Sequence, residues 1–505
     1  MIDDSVTNWR VTSQEARPAR EAKIGHPRLL IAGLVSLLAA GLLVYSQTKA
    51  FAWDEGWHLL AAQSILRGKR VYLDFCYPQT PLNAYWNAFW MRLFGDTWRT
   101  AHALAAVMTT LAVLLTADYL FRRFPVERWR LTAALTSVIV VGLNTMVFEF
   151  GTIGQAYALA LFLIVAAFRA SVVTVERHSL LLPATAGFLA CAAANATLLT
   201  APVAPVLLLW ILIYNRAGNR WTKLVSFGVG STIACLPLAW FFAQSPRQTL
   251  FNVIEYNLFY RRLNWEGATE HDIGVMLSWI DSSQALLLLL LAATGLLYVW
   301  QRQPWGRRQR AEFYLCGWLA AALALHISRA HPNFERYYLF TVPFLAILAC
   351  AGLYTVGSRM TAPDRPFWPA AILCLLVCLG LGKLFYDNRE DYVWKEAEEI
   401  GKKIDEVTPP GGLILADELT YFVTRRPPPS GLELADSHKF NLAPATMAEE
   451  HLISAQELER RTKAGVYDTV ESWDEEDRIK ALGLPQMYKN RQQVHEANIF
   501  WGKRR

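Results

Sequence analysis

The chain has 505 residues, of which 53% are hydrophobic and only 18% charged, against roughly 25% charged in an ordinary soluble protein. With a mean hydropathy of +0.20, this composition excludes a disordered chain, a collagen-like repeat and a small disulfide scaffold, and it argues against a soluble enzyme. The net charge of +6 is small for this length, so nucleic acid is not an expected partner.

In chain order, the first 28 residues are polar, with Arg10, Arg17, Arg20, Lys23 and Arg28. A membrane helix needs about 20 mostly apolar residues. Eleven runs meet or approach that requirement: 29–47, 99–121, 131–148, 155–175, 179–197, 200–214, 222–243, 284–300, 311–327, 337–356 and 367–386. The first follows a charged tail with no evident small-residue cleavage site, so it reads as a retained anchor. Lys and Arg gather in alternate connections, for example Arg122, Arg123, Arg128 and Arg130, then later Arg216, Arg220 and Lys223, then Arg302, Arg307, Arg308 and Arg310, then Arg359 and Arg365. Basic loops stay on the cytoplasmic side. The alternation therefore predicts a multi-pass membrane protein with a cytoplasmic N-terminus and everything after about residue 387 outside. A crossing at 81–95 would turn every later basic loop outward, so that segment is not expected to cross.

The connection over 48–98 reads as two helices lying on the membrane. Asp54 occupies an N-cap position, and Trp57, Leu60, Ala61 and Ile65 recur at helical spacing until Gly68. Thr80-Pro81 opens the second helix, where Leu82, Tyr85, Trp86, Phe89, Trp90 and Leu93 form an apolar stripe with Asn83, Asn87 and Arg92 off it. Beyond 387 the composition changes. A charged amphipathic helix over 390–407, a strand from Leu413 to Ala416, strands over Gly465 to Trp473 and Val494 to Trp501, and a helix around 475–482 predict a small α/β domain. The expected organisation is thus a tail (1–28), an α-helical polytopic domain of about eleven spans (29–386) and an extracytoplasmic α/β domain (387–505). The seven cysteines read as small apolar residues with no disulfide framework.

Asp54 and Glu55 carry the most information. Two adjacent carboxylates at a bilayer edge are costly unless hydrated or used. The plain reading is a helix cap and a dipole partner; the functional reading is a general base at head-group level. Asp74 begins the aromatic run to Leu82. Glu149, with Gln155 nearby, is either a solvated acid or a second acid completing a site with Asp54, directly or through Mg²⁺ or Mn²⁺. In His331-Pro332-Asn333-Phe334-Glu335-Arg336-Tyr337-Tyr338, Arg336 is either the best phosphate ligand on the outer face or a snorkelling Arg in an aromatic belt. Tyr256, Tyr260, Arg261 and Arg262 could serve a lipid phosphate or the interface. His58, His102 and His331 are accessory candidates. No Gly-rich phosphate loop, zinc-ligand spacing or nucleophile elbow is present.

The acid pair after the first span, the aromatic stretch, the Pro-Leu opening an amphipathic helix and the late Arg-Tyr-Tyr followed by Pro343 together resemble the GT-C glycosyltransferases. The nearest type is the protein O-mannosyltransferase and aminoarabinose–lipid A transferase group, over most of 29–356. The resemblance implies a polyprenyl-phosphate-linked sugar donor, a glycan, lipid or protein acceptor, and transfer at the outer face with inversion. It implies that Asp54 is the base, with Glu55 beside it, that Glu149 is loosely the later acid, and that Arg336 contacts phosphate. One departure stands out: relatives carry Lys-Pro-Pro-Leu where this chain has Gln79-Thr80-Pro81-Leu82, which leaves room for a different donor or phosphate clamp. The competing reading, a lipid-linked-sugar flippase, would call for charges within the spans and internal repeats. Neither is evident.

Overall fold

The structure, a computed structural model, describes residues 26–261, 266–301, 307–360, 367–434 and 442–504. The basic tail before His26, Arg262, Arg302 and Arg365 lie outside the described residues. A helix covers each apolar run. Among the described residues, seven are long and apolar enough to cross a membrane: Pro27–Thr48, Trp98–Arg123, Tyr157–Thr174, Arg220–Gln244, Ser283–Gln301, Glu335–Arg359 and Trp368–Asp387. Seven of the eleven expected spans meet this measure of length and composition. Leu181–Ala196 has 16 residues and Val203–Tyr214 has 12, short of the roughly 20 that span a bilayer. Arg130–Gly142 stops, and the chain restarts as Thr145–Phe150 behind the side chain of Asn144, which accepts from the Val147 N–H.

The helices sort by burial. Tyr157–Thr174 and Glu335–Arg359 are enclosed on most sides, while Pro27–Thr48, Arg220–Gln244, Ser283–Gln301 and Trp368–Asp387 keep most of their apolar surface outside the bundle. Small residues allow the tightest contacts between helices. A Cβ at Gly187 or Gly230 would collide with the backbone of the facing helix, as would one at Gly295 or Gly352. At one end of the bundle, Arg123 donates to Glu176 (2.7 Å) and Glu312 (3.2 Å), and Tyr119 donates to Glu312 (3.1 Å). These buried charges lie close to helix ends and pair with one another.

Between the first two long helices lie Glu55–Leu66 and Leu82–Phe94. The second has 13 residues, too few to cross. Its amphipathicity is turned round from that of a soluble helix. The apolar stripe faces away from the protein, with Phe89 56% and Leu93 57% exposed. The polar side faces in: Asn83 and Asn87 both donate to the Gly154 carbonyl, at 3.1 and 2.7 Å. Lipid is as apolar as leucine, so the stripe can face it, while the amides satisfy a backbone group that no water reaches.

The tail begins with Trp394–Val407 and builds a four-stranded sheet: β1 (Ile414–Leu415), β2 (Thr469–Ser472), β3 (Tyr488–Val494) and β4 (Ala497–Lys503). The spatial order is β1-β2-β4-β3, with β1 parallel to β2 and the other pairs antiparallel. Strand β3 was not expected: its YKNRQQV sequence is exposed over most of its length and lacks apolar alternation. The tail rests on the helix Glu55–Leu66 and the start of Trp98–Arg123. Trp394 stacks on Trp98 with centroids 5.4 Å apart, and Arg99 pairs with Glu398 at 2.6 Å. Gln63 donates to the Phe422 carbonyl at 3.2 Å.

Candidate active site

At the end of the bundle that carries the tail lies a cleft of about 510 Å³. Four stretches build it: the turn before Glu55–Leu66, the end of Thr145–Phe150, the entry to Glu335–Thr341 and the exit of Trp368–Asp387. Its charged residues are Lys49, Asp54, Glu149, Arg336 and Asp391.

Asp54 stands at the N-cap position of its helix, yet its side chain makes no capping bond. It accepts instead from Arg336, Nη2 to Oδ2 at 2.6 Å, across 282 positions of sequence. Arg336 Nε donates to the Tyr157 hydroxyl at 3.2 Å, and the guanidinium lies 4.2 Å above the Phe334 ring. The arginine is thus held flat by a ring and a hydroxyl, with its carboxylate contact at the 52% exposed Asp54 side chain. Glu149 lines the same cleft. Burial first, and the nearby Asp391 carboxylate second, push its pKa up to about 7, against the opposing pull of Arg336. Lys49, whose Nζ donates to the Arg389 carbonyl at 3.2 Å, adds a second cation.

Glu55 turns the other way and does not line the cleft. Its side chain is fully buried. Oε1 accepts from the Gly154 N–H and sits 2.6 Å from His102 Nε2, and Oε2 accepts from Trp394 Nε1 at 3.3 Å. His102 Nδ1 lies 2.6 Å from the Ser46 carbonyl, so both ring nitrogens face oxygens. Adjacent carboxylates on a helix start point about 100° apart, which suits one for the cleft and the other for the interior. Glu55 and His102 therefore tie the first two long helices to the tail.

The remaining expected residues lie elsewhere. Asp74 is held by Arg70, through contacts of 3.1 and 3.2 Å and the Arg70 N–H at 2.7 Å, which keeps its carboxyl below the usual range. His58 is buried beneath Trp57 and 3.0 Å from the Tyr77 hydroxyl, and burial lowers its pKa to about 3. His331 pairs with Asp272. Arg261 donates to the Tyr337 hydroxyl at 2.7 Å, behind Arg336 rather than in the cleft. Tyr256 packs beside Phe251 and Leu434. The sequence reading missed Lys49, Tyr157, Asp391 and Tyr392. Asp391 follows Asn388-Arg389-Glu390, a polar run in which nothing marks one residue as facing inward.

The sequence left open a divalent cation shared by Asp54 and Glu149. Among the described residues, no three His, Cys, Asp or Glu side chains converge on one point, and Asp54 pairs with Arg336.

The whole chain is similar to the crystal structure of ArnT from Cupriavidus metallidurans bound to undecaprenyl phosphate. The TM-score is 0.66 at 13% identity, covering 94% of this chain and 99% of that one. The apo state of that protein gives the same values. The Archaeoglobus fulgidus oligosaccharyltransferase in its apo form aligns with a TM-score of 0.54 at 14% identity, over 88% of this chain and 70% of that one. No protein-family model and no curated protein matches the sequence. The structural likeness fixes the fold: this chain has the helical fold of ArnT, with a small sheet at its C-terminal end.

Proposed function

We propose that this protein is an integral membrane glycosyltransferase that moves a sugar from a polyprenyl-phosphate donor to a cell-envelope glycan, lipid or protein acceptor at the outer face of the plasma membrane. One observation carries the reading: Asp54 and Arg336, far apart in sequence, meet in a cleft at the mouth of an apolar helical bundle. The likeness to a fold that binds undecaprenyl phosphate in ArnT supports it.

The chemistry follows from the charges. The donor keeps its prenyl tail in the bilayer and presents its phosphate at the mouth. In the empty cleft the Asp54 carboxylate neutralises Arg336. A donor phosphate displaces it, with Arg336 and Lys49 facing the oxyanion. Asp54, released, accepts the proton of the acceptor hydroxyl as the hydroxyl oxygen attacks the anomeric carbon. The bond from that carbon to the phosphate oxygen breaks, and the two cations meet the charge that gathers on the departing phosphate.

A single displacement inverts the anomeric centre, so the test is stereochemical. NMR of the product formed from a donor of known anomeric configuration is expected to show the opposite configuration. A retained configuration would contradict Asp54 acting as a base in one displacement.

A further inference from the structure

Phe51, Trp53, Tyr392 and Trp473 form an aromatic cluster at the rim of the cleft. They come from three segments: the turn before Asp54, the exit of the last long helix and the loop after β2. Trp53 stacks on Tyr392 with centroids 4.7 Å apart and planes at 26°. Trp473 meets it edge-on at 5.1 Å, and Phe51 does so at 5.2 Å. An indole gripped on several sides is ordinarily a core residue. Trp53 is nonetheless 46% exposed, and it lines the cleft immediately before Asp54 in the chain. The arrangement keeps a rigid, flat, amphipathic surface in water beside the candidate base, at little further cost in side-chain freedom.

The charges around this surface restrict what can rest on it. Asp391 lines the cleft. Burial first, and then the carboxylates of Glu471, Glu396, Asp417 and Glu496, push the Tyr392 hydroxyl's pKa up. Glu471 is itself buried, accepting from the Asp417 N–H at 3.3 Å and from Trp473 Nε1 at 2.8 Å. The exposed carboxylates of Asp391 and Glu496 repel an anionic acceptor such as a phosphorylated lipid head group, and accept hydrogen bonds from hydroxyls. A sugar ring has an apolar C–H face for the indole and a hydroxyl edge for the acids.

We propose that Trp53, held by Tyr392 and Trp473, is the platform on which a sugar ring of the acceptor stacks, so that the acceptor is a neutral glycan. The proposal rests on the glycosyltransferase reading for its place in the reaction, and it concerns binding that is measurable without transfer. Full-length protein in nanodiscs is applied to an array of neutral oligosaccharides and their phosphorylated counterparts. Wild type is expected to bind neutral glycans in preference to phosphorylated ones. Trp53→Leu, which keeps apolar bulk against Tyr392 but has no aromatic face, is expected to lose tenfold or more in binding. Trp53→Phe restores a ring and is expected to recover most of it. Equal binding by Trp53→Leu, a preference for phosphorylated glycans, or no glycan binding by wild type would each overturn the platform. Cleavage of polyprenyl-phosphate sugar by the same wild-type preparation reports the transferase reading separately. Cleavage without glycan binding rejects the platform alone, and glycan binding without cleavage rejects the transferase alone.

Discussion

Replacing Asp54 by Asn is expected to have two opposite effects. Arg336 and Asp54 are 2.6 Å apart, and the carboxylate is 52% exposed. An ion pair of that exposure is worth about 0–1 kcal/mol. A donor phosphate must break it to reach the guanidinium, so removing the carboxylate returns up to about 1 kcal/mol, or about fivefold tighter donor binding. Turnover moves the other way, because loss of a general base costs about 10²- to 10⁴-fold. Titration of labelled undecaprenyl phosphate into nanodiscs carrying wild type or Asp54→Asn reads the first effect, and a transfer assay reads the second. Full activity in Asp54→Asn refutes the base, and weaker donor binding refutes the competition between carboxylate and phosphate.

Glu149 titrates near 7 in the folded protein, against 4.5 for an ordinary glutamate. It is neutral below that pH and ionised above it, so affinity for an anionic donor is expected to fall as pH rises through about 7, and Glu149→Gln is expected to flatten that profile. Glu55→Ala strands His102 and the Gly154 N–H in a dry interior; a loss of about 3–5 kcal/mol is expected, read as a fall in unfolding temperature that Asp54→Asn does not share. A Cβ at Gly154 would lie 2.8 Å from both Glu55 Oε1 and Leu59 Cδ2, so Gly154→Ala is expected to cost about 1–3 kcal/mol in the same assay. Arg336→Lys loses the Tyr157 bond and the stack on Phe334, and donor affinity is expected to fall about tenfold or more, since a point charge cannot reproduce the planar fork.

The helices were legible because a bilayer demands long apolar runs, and the run boundaries fall close to helix ends such as Trp98 and Asp387. The span count was less legible. Continuous apolar sequence does not distinguish a crossing from two short helices such as Leu181–Ala196 and Val203–Tyr214. The interfacial helix Leu82–Phe94 was legible from its apolar stripe, which the structure turns away from the protein. Asp54 and Arg336 stood out as charges at the edge of apolar sequence. The separate fates of Asp54 and Glu55 depend on His102, Gly154 and Trp394, which only the folded chain brings to Glu55. Lys49 and Asp391 enter the cleft from ordinary polar turns, and no local pattern marks them.

The most direct test of the central claim is transfer itself. Purified wild type and Asp54→Asn are incubated in nanodiscs with radiolabelled polyprenyl-phosphate sugars and an envelope extract of lipids and glycans. Label leaving the carrier with wild type, and staying on it with Asp54→Asn, is the predicted result. Label staying on the carrier with every donor, while the lipid itself crosses the bilayer, would contradict the account and establish a flippase.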